Sequence, residues 1–131
     1  MMIELSITYL TAILLGVMLF FSFVIAPSTF RLLNEEYARK FIRGIFPLYY
    51  LLNLGISIIL VLMIAYLGYF TLKFYLMLSI CILFFISNFF LMPLINKLKD
   101  EGKEKNFKIS HFVSVAINFI QMIFLIIILI K

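Results

Sequence analysis

Four almost uninterrupted apolar blocks alternate with short polar connections: Leu5 to Ala26, Pro47 to Phe70, Phe74 to Ile95 and Ile109 to Ile130. Each block holds 22 to 24 residues. At about 1.5 Å of rise per residue that spans roughly 33 Å, against a bilayer hydrocarbon core of about 30 Å. Each is therefore predicted to cross the bilayer once as a helix. The pattern predicts an all-α integral membrane protein, a four-helix transmembrane bundle forming one domain over residues 1–131. The start Met1-Met2-Ile3-Glu4 has no basic segment, and the apolar stretch after it is too long for a signal-peptide core, so the first block is expected to persist as a helix.

The connections carry their own signals. Between blocks one and two, Asn34 is placed to cap a helix, Glu35 and Glu36 fall in its first turn, Arg39 to Arg43 in its last, and Gly44 follows as a stop. These predict a short amphipathic helix over 35–43 at the membrane interface, with Glu35–Arg39 and Glu36–Lys40 pairs at i,i+4. The second connection, near Gly68 to Lys73, is short enough to demand an antiparallel hairpin. The third is charged and contains Gly102, another helix stop.

Composition agrees with this frame and narrows it. Of 131 residues, 66% are hydrophobic and 13% charged, and mean hydropathy is +1.21, far from the ~25% charged of an ordinary soluble domain. The net charge of +5 does not mark a nucleic-acid partner, because the basic residues flank apolar blocks. Arg31, Arg39, Lys40 and Arg43 fall in the first connection and Lys97, Lys99, Lys103, Lys105 and Lys108 in the third, leaving Lys73 and Lys131 on the other side. The positive-inside rule then puts the first and third connections in the cytoplasm and both termini outside, in a cell (inner) membrane. Cys81 is the only cysteine, so no intrachain disulfide forms.

Candidate chemistry is confined to neutral polar groups, since no charged side chain lies deep in a block. That argues against a charge relay or a proton-coupled exporter built on an intramembrane carboxylate. On helix four, His111, Ser114, Asn118 and Gln121 recur at i, i+3, i+7 and i+10, one face of a helix. Asn53 and Ser57 on helix two and Asn88 on helix three enter the same bilayer. The expected site is a cytoplasmic-side cluster of His111, Ser114, Asn118, Asn88 and Asn53, with Arg31 at its mouth. It binds a small molecule or ion, or else merely locks the helices through interhelical hydrogen bonds. Asn118 and Asn88 are expected in one network, joined by Asn53 directly or through a water.

No nucleophile triad, metal-binding motif or phosphate loop is present, so no catalytic residue is assigned and no enzyme expected. A single histidine does not supply the usual axial pair for a haem, and neither cofactor nor metal is expected. Thr8, Ala12 and Gly16 form a small-residue ribbon that suits close helix packing, either inside the bundle or in a homo-oligomer. Tyr49, Tyr50, Tyr66 and Tyr69 fall where interfacial aromatic belts are expected.

Several landmarks resemble a known pattern: Phe23-Val24-Ile25-Ala26-Pro27 through Phe30-Arg31-Leu32-Leu33, Phe46-Pro47-Leu48-Tyr49-Tyr50, Asn88 with Pro93, and His111-Phe112-Val113-Ser114 with Asn118. In these segments the chain resembles the transmembrane-protein-205-like family, which overlaps the bacterial group labelled domain of unknown function 4149. The resemblance implies a compact four-helix membrane fold with an amphipathic stretch between helices one and two, and a family whose activity is largely unassigned. Animal and plant members carry a Glu just before the helix-three proline, where this chain has Met92, so no role for that acid carries over.

Overall fold

The computed structural model describes residues 1–131, and four helices account for nearly all of them: α1 (Met2–Leu32), α2 (Glu35–Tyr66), α3 (Leu72–Asp100) and α4 (Glu104–Ile130). All four are long and apolar enough to cross a membrane. Sequence neighbours are spatial neighbours, and α4 closes the ring against α1. The chain is an all-helical, multi-pass membrane protein, and a four-helix bundle describes it.

The bundle interior mixes a few polar side chains into an apolar core, and its outside is apolar. Thr11, Asn53, Ser57 and Gln121 are buried as deeply as Leu14, Met18, Leu60, Phe84 and Leu125, while some forty large apolar side chains face outward. Lipid is as apolar as leucine, so packing and interhelical hydrogen bonds hold such a bundle together rather than the hydrophobic effect. On α1 the inward face is Thr11, Leu14, Met18 and Phe21. Thr8, Ala12 and Gly16 are exposed, so the small-residue ribbon is not an internal contact; the bulkier side chains fill the interior and the ribbon lies outward.

The cap at Asn34 forms as expected. Its side chain accepts the Tyr37 amide at 3.0 Å, and the Glu35–Arg39 and Glu36–Lys40 pairs stand at 3.4 and 3.6 Å. The helix that starts there does not stop at Gly44. It continues through Pro47 to Tyr66, so the short amphipathic helix is the first part of α2 and not a separate element. Gly44 stays right-handed, since only Gly68 and Gly102 have positive φ. Pro47 removes the bond to the Arg43 carbonyl, but Ala38 before it and Tyr49 and Tyr50 after it are all buried on one packing face. Tertiary contact on both sides of the proline outweighs the lost bond.

Pro27 and Pro93 are accommodated differently. A single wide π-helical turn precedes each, Phe21–Ile25 in α1 and Ser87–Leu91 in α3, with the Ala26 amide reaching the Phe21 carbonyl and the Met92 amide the Ser87 carbonyl. A proline ring crowds the carbonyl four residues back, and one inserted residue relieves that crowding without breaking the helix. Both turns begin six residues before their proline, so α1 and α3 carry the same device at the same offset.

Two glycines end helices. Gly68 at φ 74° and Gly102 at φ 70° each sit in a Schellman turn: the Gly102 amide donates to Lys99 and the Lys103 amide to Leu98, at 3.2 and 3.1 Å. A Cβ added at Gly102 would meet nothing within 4 Å, so the cost of Gly102→Ala lies wholly in the left-handed backbone, roughly 1–2 kcal/mol. Gly102→Asn, better tolerated there, is expected to lose clearly less. Unfolding midpoints of the two variants in detergent check this; equal losses would contradict it.

Candidate functional site

Asn118 is the centre of the polar interior at the basic end. Its Nδ2 donates to Ser22 Oγ of α1 at 2.7 Å, and its Oδ1 accepts from the Tyr49 hydroxyl of α2 at 2.9 Å. One amide thus ties three helices. Four residues earlier on α4, Ser114 Oγ pairs with the Tyr50 hydroxyl at 3.3 Å. Both tyrosine rings are fixed by stacking: Tyr49 lies on Phe21 at a centroid distance of 4.0 Å, and Tyr50 on Phe46 at 5.7 Å. The wide turn in α1 contains both Phe21 and Ser22, so the proline device positions two members of this group.

These residues form the floor of a cavity of about 660 Å³, walled by all four helices. Its size falls in the ~300–1,000 Å³ range of small-molecule sites. Ala26, Ala38, Phe46, Met92 and Phe119 supply apolar wall, while Arg39, Arg43, Lys99 and His111 stand towards the charged end. Arg43 is committed: its two terminal nitrogens meet Asp100 at 2.6 and 3.2 Å, and one also reaches the Asn96 carbonyl at 3.4 Å, fastening α2 to the end of α3. Asp100 lies beyond the apolar block of α3, and its hydrogen bond to Arg43 holds the carboxyl below the usual carboxylate range. Arg39 has only Glu35, at 3.4 Å. Lys99 has no carboxylate partner and lies over the Phe107 ring, 5.0 Å from its centroid.

Of the expected site residues, His111, Ser114 and Asn118 line this cavity. His111 is exposed, its ring stacked near-parallel on Phe107 at 5.9 Å. Arg31, Asn53 and Asn88 are not part of the cavity wall. Arg31 is exposed at the end of α1; Asn53 is buried one turn beyond Tyr49 on the same face of α2, and Asn88 is buried on α3, with both amide atoms of Asn53 and Oδ1 of Asn88 lacking hydrogen-bond partners. The expected Asn118–Asn88–Asn53 network therefore does not form by direct bonds. Asn118 spends its donor and acceptor on two hydroxyls, one of them from α1. Gln121, one turn deeper, donates to the Ile80 carbonyl at 3.0 Å and locks α4 to α3.

Sequence reading missed Ser22, Tyr49 and Tyr50 as members of the polar group. Tyr49 and Tyr50 are not belt residues but buried, each 5% exposed. A signal was present: Phe46, Tyr49, Tyr50 and Asn53 recur at i, i+3, i+4 and i+7, one helical face. Ser22, alone among apolar neighbours, gave none. No three His, Cys, Asp or Glu side chains come together.

The model of a family described as domain of unknown function (DUF4149) matches residues 9–104. That range holds Ser22, Tyr49, Tyr50 and Lys99, and ends before the α4 face. An uncharacterized protein of Aquifex aeolicus (strain VF5) is 34% identical over 111 residues, covering 83% of this chain and 80% of that protein. No solved structure matches.

Proposed function

Since the chain belongs to the DUF4149 family, whose description names no reaction, we propose from the cavity itself that it is a membrane protein binding a small molecule at its basic end. The observation that carries this is a 660 Å³ space walled by four helices, with the Asn118, Tyr49 and Ser22 group on its floor and cations towards its mouth. A polar group that served only to lock helices has no need of adjacent space. The locking reading fits Gln121 better, because that side chain is buried outside the cavity and bonds the backbone of α3.

Topology belongs to the same reading. Every basic residue of the first and third connections lies at the cavity end of the bundle, which supports a cavity facing the cytoplasm and both termini outside, in a bacterial inner membrane. Fusions of a periplasm-active reporter to either terminus are expected to be active, and fusions into the 101–103 turn inactive. The opposite pattern would invert the assignment. Binding is tested by screening small molecules for saturable thermal stabilisation of the purified protein, with a cavity-filling variant as the control.

A further inference from the structure

Three of the four seams between helices are closed at the basic end. Residues 33–34 join α1 to α2, the Gly102 turn joins α3 to α4, and the Arg43–Asp100 pair fastens α2 to α3. The fourth seam, between α1 and α4, has no such closure there. Deeper in, the Phe23 and Phe119 rings meet edge-on at 5.8 Å. Towards the basic end the seam is bordered by Pro27 and Phe30 on α1 and by Val115 on α4, exposed side chains that line the cavity. With no closing contact between α1 and α4 at that level, the exposed lining residues on both edges mark the open side, and Val115, inside the apolar block of α4, sets it at the depth of the bilayer.

The chemistry differs from end to end. Lys99 has no carboxylate partner; Arg39 pairs with Glu35, a cavity-lining residue whose side chain is 84% exposed, and its charge also acts on Asp100. Both cations are available to an anion at the mouth. Deeper, the polar atoms of Ser22, Tyr49 and Asn118 satisfy one another and ask nothing of a ligand, so what remains there is aromatic and aliphatic surface. We propose, resting on the reading of the cavity as a binding site, that its occupant is a single-chain anionic amphiphile that enters sideways from the membrane between α1 and α4. Its carboxylate or phosphate head lies against Lys99 and Arg39, and its chain passes between Pro27 and Val115.

The experiment uses the full chain in phosphatidylcholine nanodiscs and reads thermal stabilisation against probe concentration. The probes are palmitate, palmitoyl lysophosphatidate, uncharged monopalmitoylglycerol and, as soluble anions, acetate and inorganic phosphate. Palmitate or lysophosphatidate is expected to stabilise saturably, and whichever is tighter identifies the head as carboxylate or phosphate. The monoglyceride should bind at least tenfold more weakly at equal mole fraction in the bilayer. The double substitution Lys99→Gln with Arg39→Gln, at sites on the bundle surface, should erase that difference. A palmitate with a photoreactive group at its chain end should label Phe30, Val115 or Phe119, and labelling confined to other surfaces would overturn lateral entry. Equal binding of the monoglyceride, with both probes lost in Ala26→Phe, would overturn the anionic head but leave the cavity as a site. Saturation by acetate or phosphate alone would overturn the amphiphile. No stabilisation by any probe would overturn this proposal, while the cavity reading would fall only if the wider screen also failed.

Discussion

Replacing Asn118 with Leu is expected to lower thermal stability and, because the three helices it ties together wall the cavity, to weaken ligand-dependent stabilisation in the same protein. The change removes the acceptor for the Tyr49 hydroxyl and the donor to Ser22, two bonds that hold α1, α2 and α4 in register. Interhelical bonds in a bilayer contribute about 0.6 kcal/mol each on average, but Tyr49 is buried, and its hydroxyl would lose its partner at a cost of roughly 1–3 kcal/mol. The total expected loss is about 1–3 kcal/mol. Gln121→Leu is the informative comparison. It removes a bond outside the cavity, so it should lower the unfolding midpoint and leave ligand affinity within a factor of about two, well under the tenfold that 1.4 kcal/mol represents. If Asn118→Leu and Gln121→Leu change stability alike and neither touches affinity, the polar group is a lock and nothing more.

Ala26→Phe should have the converse effect, a loss of affinity of at least tenfold with little change in stability. Ala26 follows the wide turn of α1 and lines the cavity. A larger side chain there grows into open volume rather than into packed neighbours and removes no hydrogen bond. Substitutions away from core and caps usually stay within about 0.5 kcal/mol, so the unfolding midpoint should barely move. Binding isotherms for any ligand found by the thermal screen measure the effect. Unchanged affinity in a folded Ala26→Phe protein would place the ligand outside this cavity.

Helix number, the tight turn near Gly68 and the Gly102 stop are legible because they depend on local quantities: runs of apolar residues, their length against the bilayer, and the backbone conformation glycine permits. Asn34 with its acidic first turn was legible for the same reason. Gly44 and Pro47 misled, because as local signals they end a helix. What continues α2 is the burial of Ala38, Tyr49 and Tyr50 against other helices, which no window of sequence displays. The α4 stripe is legible as a helical period, and three of its four members line the cavity. Its partners were not foreseen. An amide on one helix selects whichever groups the packing brings within about 3 Å, and the packing brought a serine and a tyrosine instead of two asparagines. The outward turn of Thr8, Ala12 and Gly16 has a similar origin: small residues permit close approach, but the volume of Leu14, Met18 and Phe21 decided which face turned in.

The unbroken run of α2 has a consequence for how a ligand would be held. A helix of 32 residues is about 48 Å long, more than the ~30 Å of hydrocarbon it crosses. Its charged start, Glu35 to Arg43, is the end that must project into the headgroup layer and water. The cavity therefore straddles a dielectric gradient, with Tyr49 and Asn118 on the oily side and Arg39 and Lys99 on the aqueous side. A charge pair at 4 Å contributes only about 1 kcal/mol in water and is screened over about 8 Å at physiological ionic strength. Added salt should therefore narrow the preference for an anionic head over a neutral one, while leaving in place the hold on the apolar part of the molecule, which salt does not reach.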